Sequence, residues 1–335
     1  MRQIQITSPG GLENLGLCEV EAPKPKPNEV VIKIAASSLN YHDLMVARGL
    51  IPTDDKRIPL SDAAGEVVEV GSEVSDWRVG DQVMSVCFPD WQSGPPRAEL
   101  LSFIGDHQDG YAREYIAIPA TAITRTPKNL SLIEAATLPC AGLTAWRALV
   151  DEGNLKEGET VLIQGSGGVS VFALQIAKSL GARVIATSSS SEKLEKLSTL
   201  GADELVDYKE NPQWGKEVLA RTNNEGVDHI IEVGGGGTFG ESVRCAKLGG
   251  HIALIGVLSG PAVSEIILPR IFLKQIRLSG IAMANQQSQI AMIKHIEEAA
   301  ITPVISDRFD LARLAEAFQH QIDNKHFGKI SITMA

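Results

Sequence analysis

From residue 160 onward, short apolar runs alternate with helix-like segments, a pattern that few folds accommodate. Strand candidates lie at 160–164, 182–187, 204–207, 227–233, 250–256 and 277–282. Helices are expected between them at about 168–180, 191–200, 212–221 and 238–247. Apolar strands that each lead into a helix describe a parallel sheet covered on both faces. Six of them complete a dinucleotide-binding sheet.

The first strand ends in the strongest local signal, Thr160-Val-Leu-Ile-Gln-Gly165-Ser166-Gly167-Gly168-Val169-Ser170. Gly165 permits a tight turn, and Gly167 and Gly168 let the backbone approach a pyrophosphate. The helix that follows offers unbonded N–H groups and a partial charge of about +0.5. Ser170 stands where the usual pattern has a third glycine, and it is small enough for close packing. An ordinary turn would use the same glycines for steric reasons alone. The four βα units that follow favour the nucleotide-binding reading.

NAD-type sites place an acid about 20 residues after the first glycine, on the ribose 2′-hydroxyl. Here the second strand ends in Thr187-Ser188-Ser189-Ser190-Ser191, followed by Glu192 and Lys193. Hydroxyls and a lysine suit a 2′-phosphate, so NADP(H) is preferred over NAD(H). Glu192 argues the other way. The serines also suit a helix cap, with Lys193 as a solvated charge.

Residues 1–122 read as β-rich, with apolar runs at 30–35 and 65–70 and a turn at Val79-Gly80-Asp81. Glycines 65, 71 and 80 suit the corners of a small barrel. Segment 88–110 is expected to be a long surface loop, and 131–150 to be helical with a break at Pro139. Helices to about 300 and near 311–321, then a strand at 329–333, return to the first domain. The expected division is 1–122 with about 301–335, and 123–300.

The chain has 335 residues, enough for about two domains that need no disulfide staples. Cys18, Cys87, Cys140 and Cys245 form no Cys-x-x-Cys pair. A net charge of -10 argues against nucleic acid or a membrane surface as the main partner. No stretch of about 18 apolar residues is present, and Met1–Ile6 alternates like a strand, so a cytoplasmic protein is expected.

These features together resemble the medium-chain dehydrogenase/reductase superfamily, in its zinc-independent, quinone-oxidoreductase-like branch. The resemblance rests on Asn40-Tyr41-His42-Asp43, Pro59–Gly71, Val79-Gly80-Asp81, Ala135–Trp146, Gly165–Ser170, Leu200-Gly201-Ala202-Asp203 and His326-Phe327-Gly328-Lys329. It implies a GroES-like β-barrel catalytic domain beside the Rossmann domain, an active site in the cleft, and a homodimer through the strand near Arg277–Ile281. It also implies that Thr144 reaches the nicotinamide, that Tyr208 flanks the adenosine near Lys193, and that Ile255 and Gly256 border the cofactor. Phe327 and Lys329 would close the site from the tail. The run Gly234–Gly237 would lie either as a flexible loop or at the ligand crevice.

Zinc relatives hold their metal with a Cys, a His-Glu pair and a second Cys. This chain has Asn40, Ser61-Asp62 and Cys140 there, so no zinc is expected. Hydrogen-bond donors must then polarise the substrate. Asn40 would bind either a substrate oxygen or the ribose, and Tyr41 would be a second donor or a pyrophosphate contact. His42 would deliver a proton, or else only bond Asp43 or backbone. The expected activity is hydride transfer to or from a small carbonyl, enone, quinone or alcohol. The alternative is a nicotinamide-binding sensor or structural protein with little catalysis.

Overall fold

A computed structural model describes residues 1–263 and 268–334, in two compact units: Met1–Leu143 with Met283–Ala335, and Thr144–Ala282. In the first, β1 (Arg2–Ile6) and β2 (Leu15–Glu19) form an antiparallel ribbon. A second sheet contains β3 (Glu29–Ser38), β4 (Ala64–Val70), β5 (Gln82–Ser85), β6 (Tyr115–Pro119) and β7 (Ile123–Arg125). The chain's far end adds β14 (Ile305–Asp310) and β15 (Lys329–Thr333) to it. β3 is the hub. One edge pairs with β4, and the other is shared between β6 at Glu29–Lys33 and β15 at Ala36–Ser38. A strand with partners along both edges has few exposed residues. Val30, Ile32 and Ile34 are accordingly buried with Val67, Ile116, Ile330 and Phe318.

Gly65 lies within β4, not at a corner. A side chain there would strike the Lys33 carbonyl across the sheet. The loop at 88–110 is also less superficial than its composition suggests. Its Phe88, Trp91 and Phe103 bury themselves with Cys87. Phe88 stacks at 5.4 Å from Phe103 and 6.0 Å from Trp91, contacts that aromatic rings favour. Segments 123–143 and 283–300 belong to this unit. The helix Gln286–Glu298 is bound there through Gln289, whose amide donates to Ser85 O at 2.8 Å and Thr124 Oγ1 at 2.7 Å. At Pro139 the expected helix gives way to wider turns, because proline supplies no N–H.

The second unit holds β8 (Thr160–Gln164), β9 (Arg183–Ser188), β10 (Glu204–Asp207), β11 (Val227–Glu232), β12 (Ala246–Leu254) and β13 (Arg277–Gly280). All pair in parallel in the order β10-β9-β8-β11-β12-β13. This is the doubly wound dinucleotide-binding order, reversing direction after β8. Helices Gly168–Ser179, Ser191–Thr199, Trp214–Arg221 and Phe239–Cys245 make the crossovers. Leu162, Ile185, Val206, Ile230 and Ile252 pack against Trp214, Val218, Phe239 and Val243.

Near the amino ends of these strands, His229 of β11 pairs in register with His251 of β12, which pairs with Arg277 of β13. Both imidazoles are buried, with ring centroids 5.7 Å apart. Burial, then the charges of His229 and Arg277, push the His251 pKa down to about 4, with Glu152 opposing. The unfolded chain therefore binds the proton between about pH 6.5 and 4, and His251 costs stability as pH falls through that window. Asp43 has the opposite sign. Its buried carboxyl is raised to about 6, so ionising it costs stability as pH rises. The His251 contribution must be read by difference. His251→Leu should gain about 2 kcal/mol on the wild type between pH 7 and pH 4.5, measured by urea unfolding. A pH-independent difference would refute it.

Candidate active site

The turn after β8 is shaped for close approach. Gly165 has φ +70°, which favours glycine, and its N–H donates to Thr187 O at 2.8 Å, tying the turn to β9. A side-chain carbon at Gly165 or Gly167 would meet nothing within 4 Å among the described residues. Gly167 begins the helix Gly168–Ser179 without a side-chain cap. The first-turn N–H groups, near Gly168 and Val169, lack intrahelical acceptors and carry the positive end of the helix dipole. Ser166 is buried beside them. Ser170 Oγ donates to Gln164 O at 2.6 Å, so the residue at the third-glycine position bonds helix to strand.

A buried carboxylate that sequence reasoning missed organises the next loop. Glu232, at the end of β11, accepts at Oε1 from the N–H groups of Gly234 and Gly235, both at 2.9 Å, and from Thr238 Oγ1 at 2.5 Å. At Oε2 it accepts from Gln164 Nε2 at 2.8 Å and Ser242 Oγ at 2.5 Å. The Gly234–Gly237 run is thus pinned. Ile255 and Gly256 leave β12 with their N–H groups on Glu232 O, at 2.9 and 3.2 Å. The only sequence signal for this arrangement was an acid ending an apolar strand before four glycines. Thr144 is buried.

At the end of β9, Ser188 is buried and Ser190 caps the helix Ser191–Thr199, its Oγ accepting the Lys193 N–H at 3.4 Å. Tyr208 O–H donates to Ser189 Oγ at 3.1 Å, bringing the ring to the serine cluster. Glu192 is bound to Lys196 at 2.7 Å, one helical turn on. Burial and the Lys196 charge hold the Lys193 ammonium below its usual pKa.

In the first unit, Asn40, Asp43, Asp62 and Lys329 form one buried network. Asn40 Nδ2 donates to Asp62 Oδ2 at 2.9 Å and Ser61 Oγ at 3.2 Å. Asn40 Oδ1 accepts from Lys329 Nζ at 2.5 Å, and the Asn40 N–H donates to Asp43 Oδ2 at 3.0 Å. Both amide hydrogens of Asn40 are engaged, so it is a node of this network and has none left for a substrate. Asp62 also accepts from Ser38 Oγ at 2.6 Å and the Cys140 N–H at 2.9 Å. These residues do not fit zinc. The amide directs N–H donors inward, the carboxylate is taken by three donors, and an ammonium lies 3.6 Å from Asp62 Oδ2. Burial also raises the nearby Cys87 thiol well above its usual pKa.

His42, in the first turn of the helix Tyr41–Ala47, finds a partner outside its own segment. Its Nε2 meets Asp106 Oδ2 at 2.9 Å, and Phe103 stands edge-on at 4.5 Å. Burial pushes Asp106 up, but hydrogen bonds from His42 and His107 outweigh it and hold the carboxyl below the usual range. An ionised carboxylate thus orients a one-third exposed imidazole. Tyr41 is exposed. Phe327 is buried, with its N–H on Ser306 Oγ at 3.0 Å.

Comparison with known proteins agrees with this architecture. Residues 26–128 match the alcohol dehydrogenase GroES-like domain, and 168–298 match the zinc-binding dehydrogenase domain. A zinc-type alcohol dehydrogenase-like protein of Schizosaccharomyces pombe is 39% identical, over 96% of this chain and 95% of its own length. The structure of an NAD-dependent alcohol dehydrogenase superposes with TM-score 0.91 at 31% identity, covering 100% of each chain. A 2-octenoyl-CoA carboxylase/reductase in complex with NADP and 2-octenoyl-CoA has TM-score 0.88 at 26% identity, over 99% of this chain and 87% of that one. With its six-stranded dinucleotide-binding sheet and GroES-like unit, the chain belongs to the medium-chain dehydrogenase/reductase superfamily and is an NAD(P)H-dependent oxidoreductase.

Proposed function

We propose that this oxidoreductase uses NADP(H), needs no metal, and moves hydride to or from a small carbonyl, enone, quinone or alcohol. The reading is carried by the end of β9, where hydroxyls and a lysine stand without an acid directed at the ribose. Glu192, the residue that argued for NAD(H), is engaged by Lys196. Lys193 is partly stripped of water beside a second lysine, and a 2′-phosphate would offset both costs. Tyr208 and Ser188 complete this end, and the amides after Gly165 take the pyrophosphate. Thr144, Ile255, Gly256 and Phe327 are assigned to the cofactor as well.

The nicotinamide, when bound, supplies or accepts the hydride. The chain must orient the substrate and move one proton per hydride. We assign the proton to His42. Asp106 holds its Nε2, which leaves Nδ1 as the proton-exchanging atom, and Phe103 supplies an apolar wall beside it. Tyr41, exposed next to it, is a candidate second donor. We also infer a homodimer through the open edge of β13, where Leu278 and the nearby Leu273 and Phe272 are exposed. Sedimentation as a monomer at micromolar concentration would remove that inference.

Lys193→Ala should raise the Kd for NADPH about tenfold and leave that for NADH within about twofold, by fluorescence titration. Equal losses would count against the 2′-phosphate assignment. His42→Gln should lower kcat about a hundredfold with NADPH and an active enone or quinone. Asp106→Asn should cost about tenfold, and the double variant should be no slower than His42→Gln alone. Losses that multiply would show that Asp106 does not act through His42.

A further inference from the structure

The tail of the chain delivers one cation to the polar network of the first unit. β15 pairs with the end of β3, and the Leu39 N–H donates to Ile330 O at 3.0 Å just beyond that pairing. Lys329 is thereby held beside Leu39 and Asn40, although 289 residues separate it from Asn40 in sequence. Its side chain is only 3% exposed. Nζ donates to Leu39 O at 2.7 Å and Asn40 Oδ1 at 2.5 Å, and lies 3.6 Å from Asp62 Oδ2.

We propose that the Lys329 ammonium is the cation of this site, a positioning residue that holds Asp62 and Asn40 in place and occupies the position from which a metal ion would have to bond them. The proposal deepens the metal-independent part of the function proposed above and rests on it. Two arguments carry it. First, Lys329 settles which way the Asn40 amide faces. With Oδ1 on the ammonium, both Nδ2 hydrogens point to Ser61 and Asp62. The flipped amide would set its oxygen against the Asp62 carboxylate and its N–H groups against the ammonium. Second, Asp62 has no exposed surface, and a buried carboxylate needs a counter-charge or a proton. A divalent ion using Asp62 and Asn40 Oδ1 would have to lie against the ammonium that already bonds one of them. Cation and metal therefore exclude each other.

The test combines metal analysis with charge-paired variants. The wild type, purified without added metal, should contain well under a tenth of a zinc per chain and keep its activity in a chelator. Stoichiometric zinc, with activity lost on chelation, would overturn the proposal. Lys329→Met strands Asp62 and should lower the melting temperature by about 10 °C. The double variant Asp62→Asn/Lys329→Met removes both charges and should recover more than half of that loss. If Lys329→Met does not fold but the double variant does, the conclusion is the same. Additive losses would overturn it. So would a Lys329→Met protein that melts normally and has only a weakened Kd for NADPH, because Lys329 would then be a cofactor contact. Melting and metal content require neither a known substrate nor a preference for NADPH, so they separate this proposal's failure from failure of the cofactor assignment.

Discussion

Parallel strand pairing is the constraint behind the nucleotide-binding unit. Strands β8 to β13 run the same way, so each connection crosses over and the loops at the carboxyl ends gather on one rim. The bend at Gly165, the serines after β9, the glycine run after β11 and the exit of β12 all occupy that rim. Its loops are held by one buried charge. Glu232 accepts five hydrogen bonds, from Gln164, Gly234, Gly235, Thr238 and Ser242. A buried carboxylate without such donors would cost several kcal/mol. Fully satisfied, it welds the ends of β8 and β11 to the glycine loop, so that loop needs no bulk of its own to be rigid.

The first unit handles buried charge differently. Two of its buried carboxylates, Asp43 and Asp62, share one cation, Lys329. Asp62 lies near the ammonium, whereas Asp43, pushed up by burial and by the Asp62 charge, is close to neutral at mildly acidic pH. Only one full negative charge is cheap to keep there. The same reasoning separates Asp106 from Asp43. Asp106 is also buried, but two histidines donate to it, and their hydrogen bonds outweigh desolvation. It therefore stays ionised beside the partly exposed imidazole of His42.

What could be read from the sequence follows from the range of the interactions involved. The six strands and the bend at Gly165 were legible because hydrophobic period and backbone sterics are local. β14 was not, because Ile305–Asp310 buries alternate residues only partly and its polar half reads as loop. The 88–110 segment reads as a surface loop for a related reason. Its prolines and glycines outnumber three aromatics that nonetheless bury the loop's two ends. The site divided in the same way. Amides at a helix start announce themselves, whereas Asp106 meets His42 across 64 residues and Lys329 meets Asn40 across 289. Nothing in the spacing of such pairs marks them. They exist because β3 binds β6, β15 and β4 at once.

Cofactor preference is the point at which family membership stops informing, since similar folds are known from an NAD-dependent dehydrogenase and from an NADP complex. The decision falls to adjacent residues on one helix. Consecutive positions on a helix point about 100° apart, so Glu192 and Lys193 cannot present the same face. Glu192 turns along the helix to Lys196, where an ion pair one turn away is geometrically favoured. Lys193 is more enclosed, in the first turn of a helix whose cap, Ser190, belongs to the serine cluster that Tyr208 also touches. Burial, then the Lys196 charge, lower its pKa, with Glu192 opposing. An anion at this end of β9 would offset those costs, whereas a ribose hydroxyl would relieve little of them, and that difference is the basis of the proposed preference for a phosphorylated ribose.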